Sequence, residues 1–299
     1  MITITREHIH HELSGKHGPA AYAESGDVAV FETYDCYQGQ LLPEGTTFAD
    51  VDRRLGNPAT GPLFVKGALP GDMLKITVEK LELGPVGILD IGPTSGALKG
   101  YYNETVIKRL PVQDGYLIYN DAVKVPLKPM IGVIGTAPAG SPVRTMAPKD
   151  HGGNMDCTRI EEGAVLYLPV FVEGGLLSCG DLHAIMGEGE VGNCGVEIEG
   201  KVTLKVEVVK DMPFIWPIIE NDKQWMTVAY GDTLDEAADK AVKQMFEFLR
   251  VKSGLNAVDA GMLIDMAGDL IVCQIVNPYK TVRMEVPKKL IEDMQTLYK

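Results

Sequence analysis

Apolar and polar positions alternate at period two along most of the first 210 residues. Met73 to Val78 alternates behind the turn Pro70-Gly71-Asp72, and Val28 to Thr33 is rich in β-branched and aromatic residues. Both patterns predict strands, because side chains of an extended chain point to opposite faces in turn. Tyr116 to Tyr119 and Met130 to Gly135 read as further strands. Gly195 to Glu199 and Lys201 to Val208 alternate strictly, which predicts two amphipathic strands with Glu197 and Glu199 on a solvated face. Residues 84–110 are punctuated by Gly84-Pro85, Gly92-Pro93, Gly96 and Gly100. They read as a long loop or insertion in which Tyr101 and Tyr102 could cover a site.

Beyond Asp211 the pattern changes. Trp225 to Tyr230 is a strand. Asp232-Thr233 caps a helix from about Leu234 to Lys252, with Asp235 and Glu236 in its first turn. Ala237, Ala241, Met245, Phe248 and Leu249 recur at helical spacing and form its core face. A second helix is predicted over Ala257 to Ala267, a strand over Leu270 to Val276 ending at Asn277-Pro278, and a last helix over Lys288 to Tyr298, opened by Pro287. The chain therefore divides into an all-β body, residues 1–210, and an α+β part, residues 211–299. Strict β-α alternation is missing, which argues against a parallel doubly wound sheet. The expected fold is mainly β, a sandwich or barrel body with a C-terminal α+β layer.

Composition narrows the function. Hydrophobic residues make up 45% of 299, enough for a large core. The net charge of −13 argues against nucleic acid and anionic membranes as partners and suits a small neutral substrate. Apolar runs fall short of the roughly 18 residues of a membrane span. The five cysteines form no CxxC pair, which reads as reduced thiols in a cytoplasmic protein.

The candidate chemistry lies in two glycine-rich clusters. Residues 178–190 hold Asp181, His183, Glu188 and Glu190 among Gly180, Gly187 and Gly189. Asp181 and His183 are two apart, on one face of an extended chain, as a metal site or an acid/base pair requires. The other cluster, 151–156, carries His151, Asn154 and Asp156. A strand hairpin between them would let both meet. Asp35 ends a strand beside Tyr34 and Tyr37, where it serves a pocket or a turn. No G-x-S-x-G elbow is present. Metal-assisted hydrolysis fits this inventory. Asp35, Asp156, Asp181 and His183 would ligate a divalent ion, Zn²⁺ for mixed N/O ligation or Ca²⁺ for an oxygen-rich set. Glu188, Glu190 or Asp156 would move the proton, and Asn154, Met186 and Tyr34 would contact substrate. Two alternatives stand beside it: a thiol mechanism at Cys179 with His183, and a small-molecule binder without turnover.

HGGNMD (151–156), the run 166–191, GPLFVKGALPGDMLKITV (61–78) and FETYDCYQGQ (31–40) resemble the acetamidase/formamidase family, and the similarity extends to about residue 275. The resemblance implies the same fold and hydrolysis of a short aliphatic amide to a carboxylate and ammonia, by an enzyme expected to form a homo-oligomer. Members usually carry Gln at the position of Met186 and Asp at that of Glu188. An apolar Met186 beside the acyl group would favour acetamide or propionamide over formamide.

Overall fold

The computed structural model describes residues 1–94 and 96–296. Two large sheets dominate it. The first has nine strands, in the order Ile2–Ile4, Val28–Thr33, Gly200–Val209, Met73–Leu83, Val165–Pro169, Ile218–Glu220, Gln224–Gly231, Lys280–Pro287 and Asp269–Gln274. The second has eleven strands. Its centre is Leu177–His183, flanked by Met130–Gly135 on one side and by Ala59–Val65 and Glu197–Ile198 on the other.

The main core lies between the sheets. Phe31, Leu74, Ile76, Leu166, Val202 and Leu204 of the first meet Leu63, Ile131, Ile134, Leu177, Leu182 and Ile198 of the second. This is the sandwich body that period-two patterning predicts, each sheet turning one apolar face inward. A second core forms where helix Leu234–Ser253 lays Ala237, Ala241, Met245, Phe248 and Leu249 on Ala229, Val282, Met284 and Val286. Thr233 and Glu236 form a capping box at its start, and Gly254 closes it in the left-handed conformation. Helix Ala257–Ala267 follows as expected, and the last helix spans Lys288–Gln295. The expected end of that helix at Tyr298 lies outside the described residues. Ladder hydrogen bonds cross residue 210, since Val165–Pro169 of the β body pairs with Ile218–Glu220. No helix among the described residues is long and apolar enough to cross a membrane.

Two sequence expectations fail for identifiable reasons. Residues 84–110 are not one loop. Val86–Ile91 and Val106–Gln113 pair as antiparallel strands, and only 92–105 connects them. Gly87 sits inside a strand, where a Cβ would come 2.5 Å from Val196 Cγ1, so this glycine permits close packing instead of marking a turn. Tyr101, at 82% exposure, covers nothing.

The other failure matters for function. Glu197–Ile198 belongs to the second sheet and Gly200–Val209 to the first. The chain changes sheet at Glu199, so the expected common solvated face does not exist. Glu197 is buried, while Glu199 pairs with Arg6.

Candidate active site

The ladder beside Leu177–His183 splits at Asp181. Gly180 pairs with Ala59, Leu182 pairs with Ile198, and Asp181 between them takes a left-handed φ of +57°. A cleft of about 290 Å³ opens at the split. Its polar lining includes Asn57, Asn154, Asp181, Glu190, Asn193, Glu197 and Asn277, and its apolar lining Phe48, Val51, Met146 and Val276.

The two glycine-rich clusters do meet here, but not through a hairpin. The chain between them leaves for the first sheet at Val165–Pro169 and returns. What joins them is a shared neighbour, Met130–Gly135: Val133 faces Asn154 on one side and Gly180 on the other. Gly132 lies under the junction. A Cβ there would stand 2.6 Å from both Asp156 Oδ1 and Asp181 Oδ2, so two carboxylates converge over a position that must lack a side chain. Gly195 plays the same part for His183, whose Nδ1 lies 2.5 Å from where a Cβ would be.

Asp156 (φ +45°), Asp181 and Glu190 (φ +47°) all hold the left-handed backbone that non-glycine residues rarely adopt. Such strain persists where the surroundings over-determine it, and it gathers at functional sites. Ligand atoms of Asp156, His183 and Glu190 lie within 4.8 Å of one another, as do those of Cys36, Asp181 and Glu197. His183 Nε2 is 3.0 Å from Glu197 Oε1 and 3.7 Å from Asp181 Oδ1. Neither contact is aligned as a hydrogen bond, and both ring nitrogens lack partners, as do buried oxygens of Asn57, Asn154, Asp156, Asp181, Glu190 and Glu197.

The electrostatics follow from this crowding. Burial pushes Glu190 and Asp156 up, Asp156 adding to the first and Asp181 to the second. Glu197 is likewise raised by burial, reinforced by Asp181. Burial disfavours a charged His183, but Glu197 and Asp181 outweigh it and hold the imidazole well above its ordinary value. For Asp181 burial would act upward, and His183 overrides it. Four buried carboxylates facing one imidazole form a set that calls for added positive charge.

The remaining expected site residues sit elsewhere. Glu188 is half-exposed and makes a paired contact with the buried Arg283, at 2.7 Å from each terminal nitrogen, while Thr158 donates to it. It ties the loop carrying Glu190 to strand Lys280–Pro287 and is not in the cleft. Asp35 is buried, and its Oδ1 accepts the amides of Tyr37 and Gly39, so it caps the turn after Val28–Thr33; its Oδ2 is buried without a partner, but Asp35 joins neither ligand group. Tyr34 stacks on Arg6 outside the cleft, which Tyr37 lines in its place. Met186 is nearly buried and does not line the cleft, which removes the geometric basis for an apolar acyl wall at that residue. Cys179 is fully buried in the main core, and burial pushes its thiol well up, so a substrate has no approach to it.

Residues the sequence reading missed are Cys36, Asn57, Glu197 and Asn277. Asn277 donates to Asp156 Oδ2. Its loop is shaped by the buried Gln274, which accepts the amides of Val276 and Asn277. The Asn277-Pro278 strand stop was the one available signal.

The model of the acetamidase/formamidase family matches residues 139–290, just over half of the chain. The chain belongs to the acetamidase/formamidase family. Among solved structures, an acetamidase from Bacillus halodurans is 43% identical, with a TM-score of 0.95 over 98% of this chain and 99% of that one. A predicted acetamidase/formamidase from Thermoanaerobacter tengcongensis is 39% identical, with a TM-score of 0.95 over 98% and 97%. A formamidase from Methylophilus methylotrophus is 26% identical over 64% of this chain, and an acetamidase from Mycolicibacterium smegmatis 27% over 64%. The matches span 61% and 63% of those two relatives, about three fifths of their length. The C-terminal boundary of the family match falls within the last helix, so the match takes in both Asp156 and its partner Asn277.

Proposed function

We propose that this family member hydrolyses a short aliphatic amide to a carboxylate and ammonia. The observation that carries the reading is the set of buried, unpartnered polar atoms around the cleft, Asn154 Oδ1 among them. Buried polar groups without partners are costly, and a bound ligand that completes their bonding removes the cost.

The donor set suits a divalent cation. Asp156, Asp181 and His183 would hold it, His183 standing within 4.8 Å of Asp156 and 3.7 Å from Asp181, and the mixed N/O ligands, with Cys36 near Asp181, favour Zn²⁺ over Ca²⁺. When bound, such an ion supplies Lewis acidity toward the amide carbonyl, which resonance leaves a poor electrophile. The rest falls to side chains. Asn154 hydrogen-bonds the substrate amide and fixes its plane. Glu190 is held at Oε1 by the Gly195 amide, 3.1 Å away, and its Oε2 is free. Its raised affinity for a proton suits a general base, which takes the proton of the attacking water and returns it to the nitrogen, so that ammonia departs instead of an amide anion. Glu188, committed to Arg283, has no part in this.

Two further points belong to the reading. A homo-oligomer is supported by the outer face of helix Ala257–Ala267, where Val258, Met262 and Met266 are exposed at helical spacing. A cytoplasmic location is supported by five cysteines that form no disulfide.

Ammonia release from formamide, acetamide and propionamide, with metal analysis of the same sample, tests the proposal. The expected outcome is turnover that a chelator abolishes, with loss of metal in folded His183→Ala and Asp181→Asn variants. Binding of amides without ammonia release would leave a binding protein, and full activity in metal-free protein would remove the ion.

A further inference from the structure

The cleft contains a group that acetamide would leave idle. Arg53 begins the short helical turn Arg53–Leu55 and is the one cation among the described residues lining the cleft. Its neighbour Arg54 is engaged with Asp52 at 2.6 Å. Arg53 has no carboxylate partner among the described residues, and its guanidinium lies 5.3 Å from the centroid of the Phe48 ring, itself part of the lining. The cleft volume, about 290 Å³, is close to the roughly 300 Å³ at which pockets begin to enclose drug-sized ligands. An amide with a single methyl group leaves most of it empty.

The lining divides by chemistry. Asn154, Asp181, Glu190 and Glu197 are polar lining that the amide would use, while Phe48, Val51 and Val276 offer apolar contact to a chain longer than an acetyl group. Arg53 adds a planar cation that fits a carboxylate through two parallel hydrogen bonds. In a protein of net charge −13 with a carboxylate-rich site, an anionic substrate needs such a dedicated cation to enter.

We propose that the cleft takes ω-amido carboxylates: a primary amide at one end, a short methylene chain, and a carboxylate held by Arg53. This rests on the amidase reading and extends it from neutral to anionic amides. Water adds to the amide carbonyl, the C–N bond breaks, nitrogen leaves as ammonia, and the product is the dicarboxylate.

The test compares butyramide with succinamate, glutaramate and adipamate. Ammonia release and calorimetric binding are measured with the wild type, Arg53→Gln and Arg53→Lys. Arg53 is exposed, so both variants should fold, and thermal unfolding checks this. The expected result is a preference for one of the three anions over butyramide of roughly tenfold or more in kcat/KM and in Kd. Arg53→Gln should abolish that preference and Arg53→Lys should retain part of it. The proposal is overturned if the wild type shows no preference for an anion, or if Arg53→Gln changes butyramide and the anions alike. Turnover of butyramide with rejection of all three anions overturns this proposal alone. Neither binding nor ammonia release with any of the four overturns this proposal, and failure with formamide, acetamide and propionamide as well overturns the amidase reading with it.

Discussion

His183 and Glu197 face each other across adjacent antiparallel strands, with Nε2 3.0 Å from Oε1 and both side chains almost fully buried. The carboxylate's charge outweighs burial and holds the affinity of the imidazole for a proton up. We expect Glu197 to act as a positioning residue for His183.

Glu197→Gln keeps the shape and removes the charge. We expect it to lower metal affinity and amide turnover by about 10–100-fold, the usual scale for a group that supports a metal-binding histidine. Zinc titration of chelator-treated protein, alongside kcat/KM, measures both. Unchanged affinity and rate would return Glu197 to a packing role.

Gly132→Ala places a methyl group 2.6 Å from carboxylate oxygens of Asp156 and Asp181. Those groups must separate or the strand must shift. Because about 1 Å of misplacement can cost on the order of 10²-fold in rate, we expect a loss of that size. Steady-state kinetics with a circular-dichroism check of the fold decides it. Wild-type kinetics would mean that the convergence of the two carboxylates is not needed.

Glu188→Gln tests whether Glu188 clamps or catalyses. Arg283 is 1% exposed and keeps Glu285 at 2.6 Å when Glu188 is neutralised. With Glu188 half-exposed and Glu285 retained, we expect a destabilisation of about 1–3 kcal/mol, the range for a weakened hydrogen bond to a buried charge. Urea unfolding measures it. Amide turnover slowed roughly a thousandfold at wild-type stability would instead make Glu188 the base.

His151 gives the chain a pH dependence. It is 2% exposed, and burial, helped by the charge of Lys149, lowers its pKa from 6.5 to about 4. The folded protein thus resists protonation that the unfolded chain accepts. The contribution to stability is complete above pH 6.5 and is lost as pH falls to about 4. Its full size is about 3 kcal/mol. Between about pH 7 and pH 4 the wild type should lose up to about 3 kcal/mol more in urea unfolding than His151→Gln. Parallel losses in the two proteins would show that His151 titrates normally.

Much of the fold was legible in the chain itself. Period-two runs mark Met73–Leu83 and Gly200–Val209, and helical spacing with the Thr233 and Glu236 cap marks Leu234–Ser253. These signals depend on neighbours within a few residues, so sequence carries them directly. The two glycine-rich clusters also come together in space: Asp156 of one lies with His183 and Glu190 of the other, and Asp181 stands 3.7 Å from His183.

Partner choice belongs to the tertiary structure. Alternation places Glu197 on a face but cannot say which sheet that face belongs to, and the chain switches sheets two residues later. Charge and spacing put Glu188 among the catalytic candidates, yet Arg283, distant in sequence, claims it. One oxygen of Asp35 is taken by the amides of its own turn, while Cys36 beside it groups with Asp181 and Glu197, and Asn277 from the far end of the chain reaches Asp156. Local sequence sets what a side chain can do. Which buried group it meets depends on contacts between strands that are remote in the chain, and no short-range pattern encodes them.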